Sequence, residues 1–451
     1  MKSKILYFGL VLLALAFLVQ CQKHKEQKVQ AALPPPVSAG QIHTHVAYFS
    51  QGGQSFAVYL PVKYDKKRAW PVLYFFDAHA RGALPVKRYR KLADEFGMIF
   101  IGANNLKNGL DPQTIQNRVN NLLEETSRRF HLQKNRKYIM GFSGGARTAV
   151  LTALIRNDIA GVIGCAAGFP QWKQPISRPF AYVAIAGKGD FNLSELRVLN
   201  EQLNRSPVMH WLIEFEGGHE WPPVPVAQKA LSILQLDAVR NRLAPSDPNL
   251  LGQFVKSEMQ IIDSLKQRND LLALADEYRL FINSLQGMGA IQSVEKAYKA
   301  LLKSKVYQKQ KAAERKQALK EVNLQKEIQQ AFNTQDIAYL EQQYRRLSQI
   351  KPGQRDYWMA RRVSGFMSLL GYLYAQQALQ KKDLTGAQKY LQLYALTDAD
   401  NADRYYLQAW LDILLDNIPK AQQEAQKALQ LGLDDRQKIF ANPVFSVLEL
   451  H

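Results

Sequence analysis

Cysteine is scarce in this chain, since its 451 residues include two, Cys21 and Cys165. Cys21 ends an N-terminal apolar run and is interpreted below. Cys165 lies in the apolar run 159–169, where we expect a free, buried thiol that packs as a small hydrophobe. One such thiol cannot form a disulfide framework. Stability must therefore come from packed cores, for which an apolar fraction of 47% is ample.

Acidic residues are also few, 39 Asp and Glu against 59 Lys and Arg, which gives a formal net charge of +20. Such an excess is compatible with nucleic acid, an anionic membrane or an acidic polymer as partner. No recognised nucleic-acid motif is present, and much of the excess lies outside the stretch that carries the chemistry. We therefore expect a solvated basic face and no nucleic-acid partner.

The N-terminus has the pattern of an export signal. Lys2 and Lys4 precede an apolar run over 5–19, which is too short for a comfortable membrane span. The run ends in Leu-Val-Gln-Cys21 and resembles a bacterial lipoprotein signal, although Gln20 stands where that signal has a small residue. The resemblance implies a signal peptide over 1–20, lipidation of Cys21 and a location in the bacterial cell envelope. A plain secretory signal and an uncleaved anchor are the alternatives.

Beyond a Pro-, Lys- and Gln-containing tether over 21–41, strand and helix patterns alternate as far as residue 243. Strands are predicted over 43–49, 55–60, 70–76, 98–103, 137–142, 159–167, 180–186 and 209–215, and helices over 89–96, 112–130, 144–156, 193–203 and 224–243. This alternation predicts an α/β domain over 42–243, with a mostly parallel sheet and helices on both faces.

The remainder, 244–451, is predicted to be all-helical. A densely charged segment over 303–330 favours an exposed helix rather than a core element. Two similar helix patterns place Ala387 and Ala421 34 residues apart, and each follows another helix pattern. This period of paired helices resembles tetratricopeptide (TPR) repeats. An irregular helical bundle is the alternative.

The stretch around which the α/β domain is organised contains Gly141-Phe-Ser143-Gly-Gly145. An apolar run ends at this pentapeptide and a helix pattern starts at once, which is the G-x-S-x-G layout of a nucleophile elbow. The glycines are needed because the turn brings the residues two before and two after the serine close together. We predict Ser143 as a nucleophile, with the N–H of Gly144 stabilising an oxyanion.

A serine nucleophile needs a base and an acid that orients the base. His219 follows the last predicted strand, after two glycines, and is the predicted base; His210 lies inside that strand, and His451 is the chain's last residue. Asp190 follows the preceding strand and is the predicted acid, with Glu214 and Glu216 as rivals. The order Ser, Asp, His is that of the α/β hydrolases.

The second oxyanion donor is expected in the loop Asp77–Gly82, as the amide of Ala78 or of His79. Asp77 and His79 also have the i, i+2 spacing of a metal pair. No third ligand is visible, so we expect no metal site. Arg147, one turn beyond the serine, could face an acidic substrate group, but an internal ion pair is the preferred interpretation.

Together these residues resemble the α/β-hydrolase superfamily over about 43–240. Gly217-Gly-His219-Glu-Trp-Pro222 is similar to the histidine setting of secreted feruloyl esterases and polyhydroxyalkanoate depolymerases. The loop Asp77–Gly82 departs from the His-Gly pair usual in that branch. The resemblance implies a serine hydrolase that works through an acyl-enzyme and uses no cofactor.

The sequence therefore predicts an exported, lipid-anchored carboxylesterase followed by a TPR-like helical domain. Its substrate would be a small-molecule or polymer-linked ester, and peptidase activity by the same mechanism ranks second. A different hypothesis makes the helical repeats the working part, as an envelope scaffold that binds a protein partner and carries an inactive hydrolase domain.

Overall fold

The computed structural model describes residues 37–49, 52–172, 174, 176, 179–289, 291–433, 439 and 442–448. The predicted signal peptide, Cys21, most of the tether and His451 lie outside these residues. No helix within these ranges combines the length and the hydropathy needed to cross a membrane.

Eight strands in the described part of the chain form one sheet, in the order β1-β2-β4-β3-β5-β6-β7-β8. The strands are β1 Ile42–Ala47, β2 Ser55–Tyr59, β3 Trp70–Phe76, β4 Ile99–Ala103, β5 Leu132–Phe142, β6 Ile159–Cys165, β7 Ala181–Gly187 and β8 His210–Phe215. β1, β2 and β4 pair antiparallel at one edge, and all other neighbours are parallel. The predicted fold class, a mostly parallel α/β sheet followed by a helical region, is confirmed.

The sheet is covered on both faces, as its long apolar strands require. Every residue of β3 is buried. Alternate side chains of this strand enter different cores: Leu73 and Phe75 one, Tyr74 and Phe76 the other. Five helices of this region cover the two faces: α1 Ala83–Phe96, α2 Pro112–Arg129, α3 Gly144–Ile155, α4 Leu193–Leu203 and α5 Val224–Arg240.

Helix α1 starts six residues before the predicted residue 89. The added residues include Pro85, which is tolerated in the first turn of a helix because the N–H that it lacks would have no partner within the helix there.

After α5 the described chain is helical. It contains α6 Pro248–Gln267, α7 Leu271–Leu285, α8 Gln292–Lys303, α9 Lys305–Thr334, α10 Ile337–Ser348, α11 Tyr357–Gln380, α12 Leu384–Thr397, α13 Ala402–Leu414, α14 Ile418–Gln430 and a short 3₁₀ helix, Pro443–Val447. The prediction of an exposed helix over 303–330 is wrong for the second half of α9. Leu324, Ile328 and Phe332 recur there at helical spacing and are buried in the helical core.

The helical region packs in two parts. Helices α6 to α8 share one hydrophobic core with the sheet, through side chains such as Phe254, Ile262 and Tyr278. From the second half of α9 onward the helices form a core of their own. There α11 packs against α12 and α13 against α14, and Ala387 and Ala421 are fully buried. The TPR-like interpretation stays a prediction.

Candidate active site

Ser143 lies on a tight turn between β5 and α3. Its backbone has φ 55° and ψ −121°, a strained conformation for a residue with a side chain. A β-carbon at Gly141 would lie 2.3 Å from the Gly145 carbonyl oxygen, and one at Gly145 would lie 2.1 Å from the Phe76 carbonyl oxygen. Because both obstacles are backbone atoms, the turn excludes any side chain at these positions. The glycine requirement expected from the sequence is thus a steric fact of the fold.

The structure brings together the three predicted side chains, which come from loops after β5, β7 and β8. His219 Nε2 lies 3.0 Å from Ser143 Oγ, and His219 Nδ1 lies 3.0 Å from Asp190 Oδ1. A carboxylate oxygen can only accept a hydrogen bond, so Nδ1–H is the donor to Asp190. Nε2 is then the acceptor for the hydroxyl proton of Ser143, which is the arrangement that a general base needs.

The acid is much more enclosed than the base. Asp190 is fully buried, whereas the His219 side chain is 23% exposed. Asp190 Oδ1 also accepts the N–H of Asn192 at 2.8 Å. Its Oδ2 is buried and has no hydrogen-bond partner within the described ranges. The direction of the carboxylate therefore depends strongly on where the backbone of its loop lies.

Two aromatic rings hold the imidazole of His219. Phe191 stacks on it with ring centroids 4.3 Å apart and an interplanar angle of 24°. Phe142, the residue before the serine, lies on it at 4.9 Å and 47°. These two ring contacts restrict rotation of the imidazole, so its hydrogen bonds keep their direction.

The loop after β3 is fixed by Asp77. Its carboxylate accepts hydrogen bonds from Arg81 Nε at 2.9 Å, from Trp221 Nε1 at 2.8 Å and from the N–H of His79 at 2.8 Å. Burial raises the pKa of Asp77, but the hydrogen bond and charge of Arg81 and the bonds from Trp221 and His79 bring it below its ordinary value. An ionised Asp77 thus links this loop to the segment that carries His219.

The same contacts bear on the choice between Ala78 and His79 as the second oxyanion donor. The N–H of His79 donates to Asp77 and so is not directed at a substrate. The N–H groups of Gly144 and Ala78, by contrast, have no hydrogen-bond acceptor in the described part of the chain. Ala78 is close to the nucleophile turn, because the Phe76 carbonyl abuts Gly145. The candidate oxyanion donors are therefore Gly144 and Ala78.

Asn108 contacts both residues that carry these candidate donors. Its N–H donates to the Ala78 carbonyl at 2.8 Å. Its side-chain oxygen lies against the α-carbon of Gly144, where a β-carbon would be 1.8 Å from it. An exposed amide side chain is thus placed next to the start of α3. It follows the carboxyl end of β4, and that position in an α/β sheet is the one sequence signal that could have identified it.

A cavity of about 270 Å³ opens beside the nucleophile turn, against Gly144 and Gly145. Its wall is largely apolar and includes Leu106, Ile115 and Leu151. Arg147 also lines it, but the guanidinium forms a two-bond ion pair with Glu195 at 2.9 and 2.8 Å. The preferred interpretation of Arg147, an internal ion pair, agrees with this contact.

The rival residues have other contacts. His210 is buried in β8 and hydrogen bonds the backbone two residues before it. Glu214 pairs with Arg197 at 2.6 Å, and Glu216 is exposed at the surface. Across the described residues, no group of three or more His, Cys, Asp and Glu side chains is arranged to hold a metal ion.

Comparisons with known proteins find similarity to solved structures only. No protein-family model matches the chain, and no curated protein matches it. Solved structures similar to it include S-formylglutathione hydrolase (FrmB) from Staphylococcus aureus, with 14% identity, a TM-score of 0.37, and coverage of 44% of this chain and 99% of that one.

Two further similar structures are esterases. A mutant of the feruloyl esterase module from Clostridium thermocellum, complexed with sinapinate, has 14% identity and a TM-score of 0.35 and covers 43% of this chain and 89% of that one. A hyperthermophilic esterase from the archaeon Pyrobaculum calidifontis has 11% identity and a TM-score of 0.35, covering 46% and 88%. At these values the similarity carries no argument about the activity of this chain.

Several residues around the candidate site were not found by sequence reasoning. Phe191 and Asn192 adjoin Asp190 in sequence, and an aromatic residue beside a candidate acid was the available signal. Arg362 of α11 donates a hydrogen bond to the Lys188 carbonyl two residues before the acid. No local pattern marks Arg362, because it reaches the loop from 174 positions away.

Proposed function

We propose that this chain is a serine hydrolase of the α/β-hydrolase superfamily, acting as a carboxylesterase. The observation that carries the proposal is the hydrogen-bonded series from Ser143 through His219 to Asp190, with both links at 3.0 Å. The serine lies on a strained turn at the start of a helix, and beside it lie the amides of Gly144 and Ala78, which have no acceptor among the described residues. These are the parts that acyl transfer needs: nucleophile, base, orienting acid and oxyanion donors.

In the proposed reaction, Ser143 Oγ attacks the ester carbonyl while His219 Nε2 takes the hydroxyl proton. The amides of Gly144 and Ala78 donate to the oxyanion of the tetrahedral intermediate. The intermediate collapses as His219 returns the proton to the leaving alcohol, and the acyl group stays on Ser143. Water, deprotonated by His219, then attacks the acyl-enzyme; the bond between the acyl carbon and Ser143 Oγ breaks, His219 returns the proton to Oγ, and the carboxylic acid is released. Asp190 stabilises the imidazolium that forms in each half of the reaction.

The cavity supports a short apolar group on the ester. Its volume of about 270 Å³ lies at the lower end of ligand pockets. The guanidinium of Arg147, which lines the cavity, is paired with Glu195 and so is not available to an acidic substrate group. We therefore propose that esters with short acyl chains are preferred.

Export and attachment to a membrane through lipidated Cys21 belong to the same proposal. They are supported by the two lysines, the apolar run and the cysteine at the N-terminus. A TPR-like helical region able to bind a protein partner is likewise proposed, on the 34-residue spacing of Ala387 and Ala421.

A fluorophosphonate probe tests the activity directly, because it reacts covalently with an activated serine. The folded protein is incubated with the probe at several pH values between about 6 and 9, because a general base works best near the operating pH. We expect wild type and Ser206→Ala to be labelled, and Ser143→Ala not to be. Ser206 is a matched control, since its hydroxyl contacts only backbone groups, donating to the Leu203 carbonyl and accepting the N–H of Val208.

A panel of p-nitrophenyl esters then tests the substrate class. We expect kcat/KM to be highest for short acyl chains and to fall as the chain outgrows the cavity. Ser143→Ala should lower kcat by about four orders of magnitude or more. Absence of labelling of the folded wild type across this pH range would exclude the esterase and favour the scaffold function of the helical region.

A further inference from the structure

The acid loop is defined here as residues 188–190. Two of its backbone N–H groups bind the segment that leads to His219. The N–H of Lys188 donates to the Phe215 carbonyl at 2.7 Å, and the N–H of Gly189 donates to the Gly217 carbonyl at 2.9 Å. These bonds fix the spacing of the two loops. The Asp190 carbonyl accepts the N–H of Leu193 at 2.9 Å, whereas the Lys188 carbonyl binds outside the α/β region.

A side chain of the helical region binds the Lys188 carbonyl. Arg362 of α11 donates through Nη1 to the Lys188 carbonyl at 2.7 Å. Its Nε and Nη2 donate to the two carboxylate oxygens of Glu321 in α9, at 2.8 and 2.6 Å. Both side chains are almost fully buried. A guanidinium held by a two-bond pair in a buried site has a fixed direction, so its third bond defines where the Lys188 carbonyl lies.

Backbone packing supports the same contact. A β-carbon at Gly189 would lie 3.1 Å from Cβ of Arg361 and 3.5 Å from the ring of Trp358. The acid loop therefore packs directly against the first turns of α11. The absence of a side chain at Gly189 allows this close approach.

A second, independent contact reaches the base. Phe191, which stacks on the His219 ring, also packs against α11: a β-carbon at Gly365 would lie 3.3 Å from Phe191 Cδ1. Phe191 thus lies between the imidazole and the backbone of α11. One helix outside the α/β region contacts the surroundings of both the acid and the base.

We propose that Arg362, oriented by Glu321, is a positioning residue for the Asp190–His219 pair, so that the helical region completes the active site. This inference rests on the proposed esterase function. Asp190 Oδ2 lacks a hydrogen-bond partner in the described part of the chain, so the direction of the carboxylate depends on the position of the loop backbone. Arg362 holds that backbone through the Lys188 carbonyl.

The test uses the full chain and a double variant, Glu321→Leu with Arg362→Met. Replacing both members of a buried ion pair by apolar residues of similar size avoids the destabilisation that an uncompensated buried charge causes. Glu321→Gln alone removes the carboxylate charge but leaves Arg362 able to reach the Lys188 carbonyl. Arg279→Ala is the matched control, because it breaks an ion pair between α7 and α4 (Arg279–Glu201, 2.7 Å) that lies outside the acid loop.

We expect the double variant to lower kcat by about 10- to 100-fold, since small displacements of catalytic groups have effects of that size. KM should stay within about twofold, because the substrate contacts are intact. Arg279→Ala should retain most of the wild-type kcat, and Glu321→Gln, which loses one of the two acceptors that orient Arg362, should lie between it and the double variant. Hydrogen exchange at the amides of Lys188 and Gly189 should be faster in the double variant than in Arg279→Ala.

Unchanged kcat and unchanged exchange in the double variant would overturn the positioning role. So would an equal loss of kcat in Arg279→Ala, because the effect would then be a general loosening between the two regions. If wild type hydrolyses no ester and Ser143 is not labelled, the proposed function fails by itself, and the exchange rates of the acid loop alone decide whether Arg362 positions it.

Discussion

The α/β region and the helical region are constrained by different kinds of contact. In the first, β-carbons at Gly141, Gly145 and Gly187 would collide with backbone oxygens at 2.1 to 2.4 Å. In the second, a β-carbon at Gly252 would meet nothing within 4 Å, and one at Gly371 would meet a tyrosine at 3.2 Å. A glycine that packs against backbone atoms cannot be replaced by another residue, whereas a glycine that packs against a side chain can be, because the side chain can move.

The two regions also differ in their proposed roles: the α/β region carries the reacting groups, and the helical region supports them. The proposed nucleophile, base and acid all lie on loops of the α/β region, at the carboxyl ends of parallel strands. The helical region supplies no reacting group among them, but it contacts the acid loop and Phe191. Substitutions of the proposed catalytic residues should therefore act on the chemical step, and those in the helical region should act through position or stability.

The largest expected effect comes from the acid. Asp190→Asn keeps the shape of the side chain but favours the wrong tautomer of His219, and we expect kcat to fall by about 10³- to 10⁴-fold. Asp412→Asn is the matched change in the helical region, where an equally buried carboxylate accepts bonds from Lys420 and Gln408. It should leave kcat unchanged. Steady-state kinetics of both variants check this, and an Asp412→Asn as slow as Asp190→Asn would break the comparison.

Glycine substitutions should change stability in opposite directions in the two regions. Gly145→Ala places a methyl group against the Phe76 carbonyl, so β3 or α3 must move, and we expect a loss of about 3 kcal/mol. Gly252→Ala lies in an open position of α6, where alanine favours the helix by about 0.5–1 kcal/mol. Urea denaturation followed by circular dichroism measures both. Equal signs for the two variants would contradict the proposed difference in constraint.

The same difference explains how far the sequence could be read. Ser143, His219 and Asp190 were predictable because local glycines and strand ends indicate where such loops lie. The second half of α9 was misjudged because charged residues surround its apolar positions. The second oxyanion donor was expected to be the amide of Ala78 or of His79, and the sequence did not show that the N–H of His79 donates to a carboxylate two residues earlier. Arg362 could not be predicted, since its contact depends on how two regions pack and on no pattern near position 362.

The smallest effect is expected where the two regions meet. Lys229 of α5 contacts Glu258 of α6 at 2.7 Å and Glu277 of α7 at 2.8 Å. This group borders a cavity of about 550 Å³ that does not include the proposed catalytic residues. Burial, reinforced by Glu277, raises the pKa of Glu258 above its ordinary 4.5, and Lys229 offsets this only in part.

The sign of the pH effect follows from that direction. Above pH 4.5 the unfolded chain releases the Glu258 proton, whereas the folded protein retains it until the raised pKa is reached. The stabilisation is therefore complete below pH 4.5 and is lost as the pH rises through the raised pKa. Glu258→Gln cannot ionise, so between pH 5 and 9 it should lose about 1–2 kcal/mol less stability than wild type.

Urea denaturation at pH 5, 7 and 9 measures this difference, with Glu124→Gln as the control because Glu124 is an exposed acid of α2. Glu124→Gln should follow the wild-type curve, and parallel curves for all three proteins would show that Glu258 is ionised when folded. A flatter curve for Glu258→Gln alone would place a pH-sensitive contact between the two regions, outside the proposed catalytic residues. The contact between the two regions would then have two separate effects. The Lys229 group would affect stability, which urea denaturation measures, and Arg362 would affect the geometry of the catalytic residues, which kcat measures.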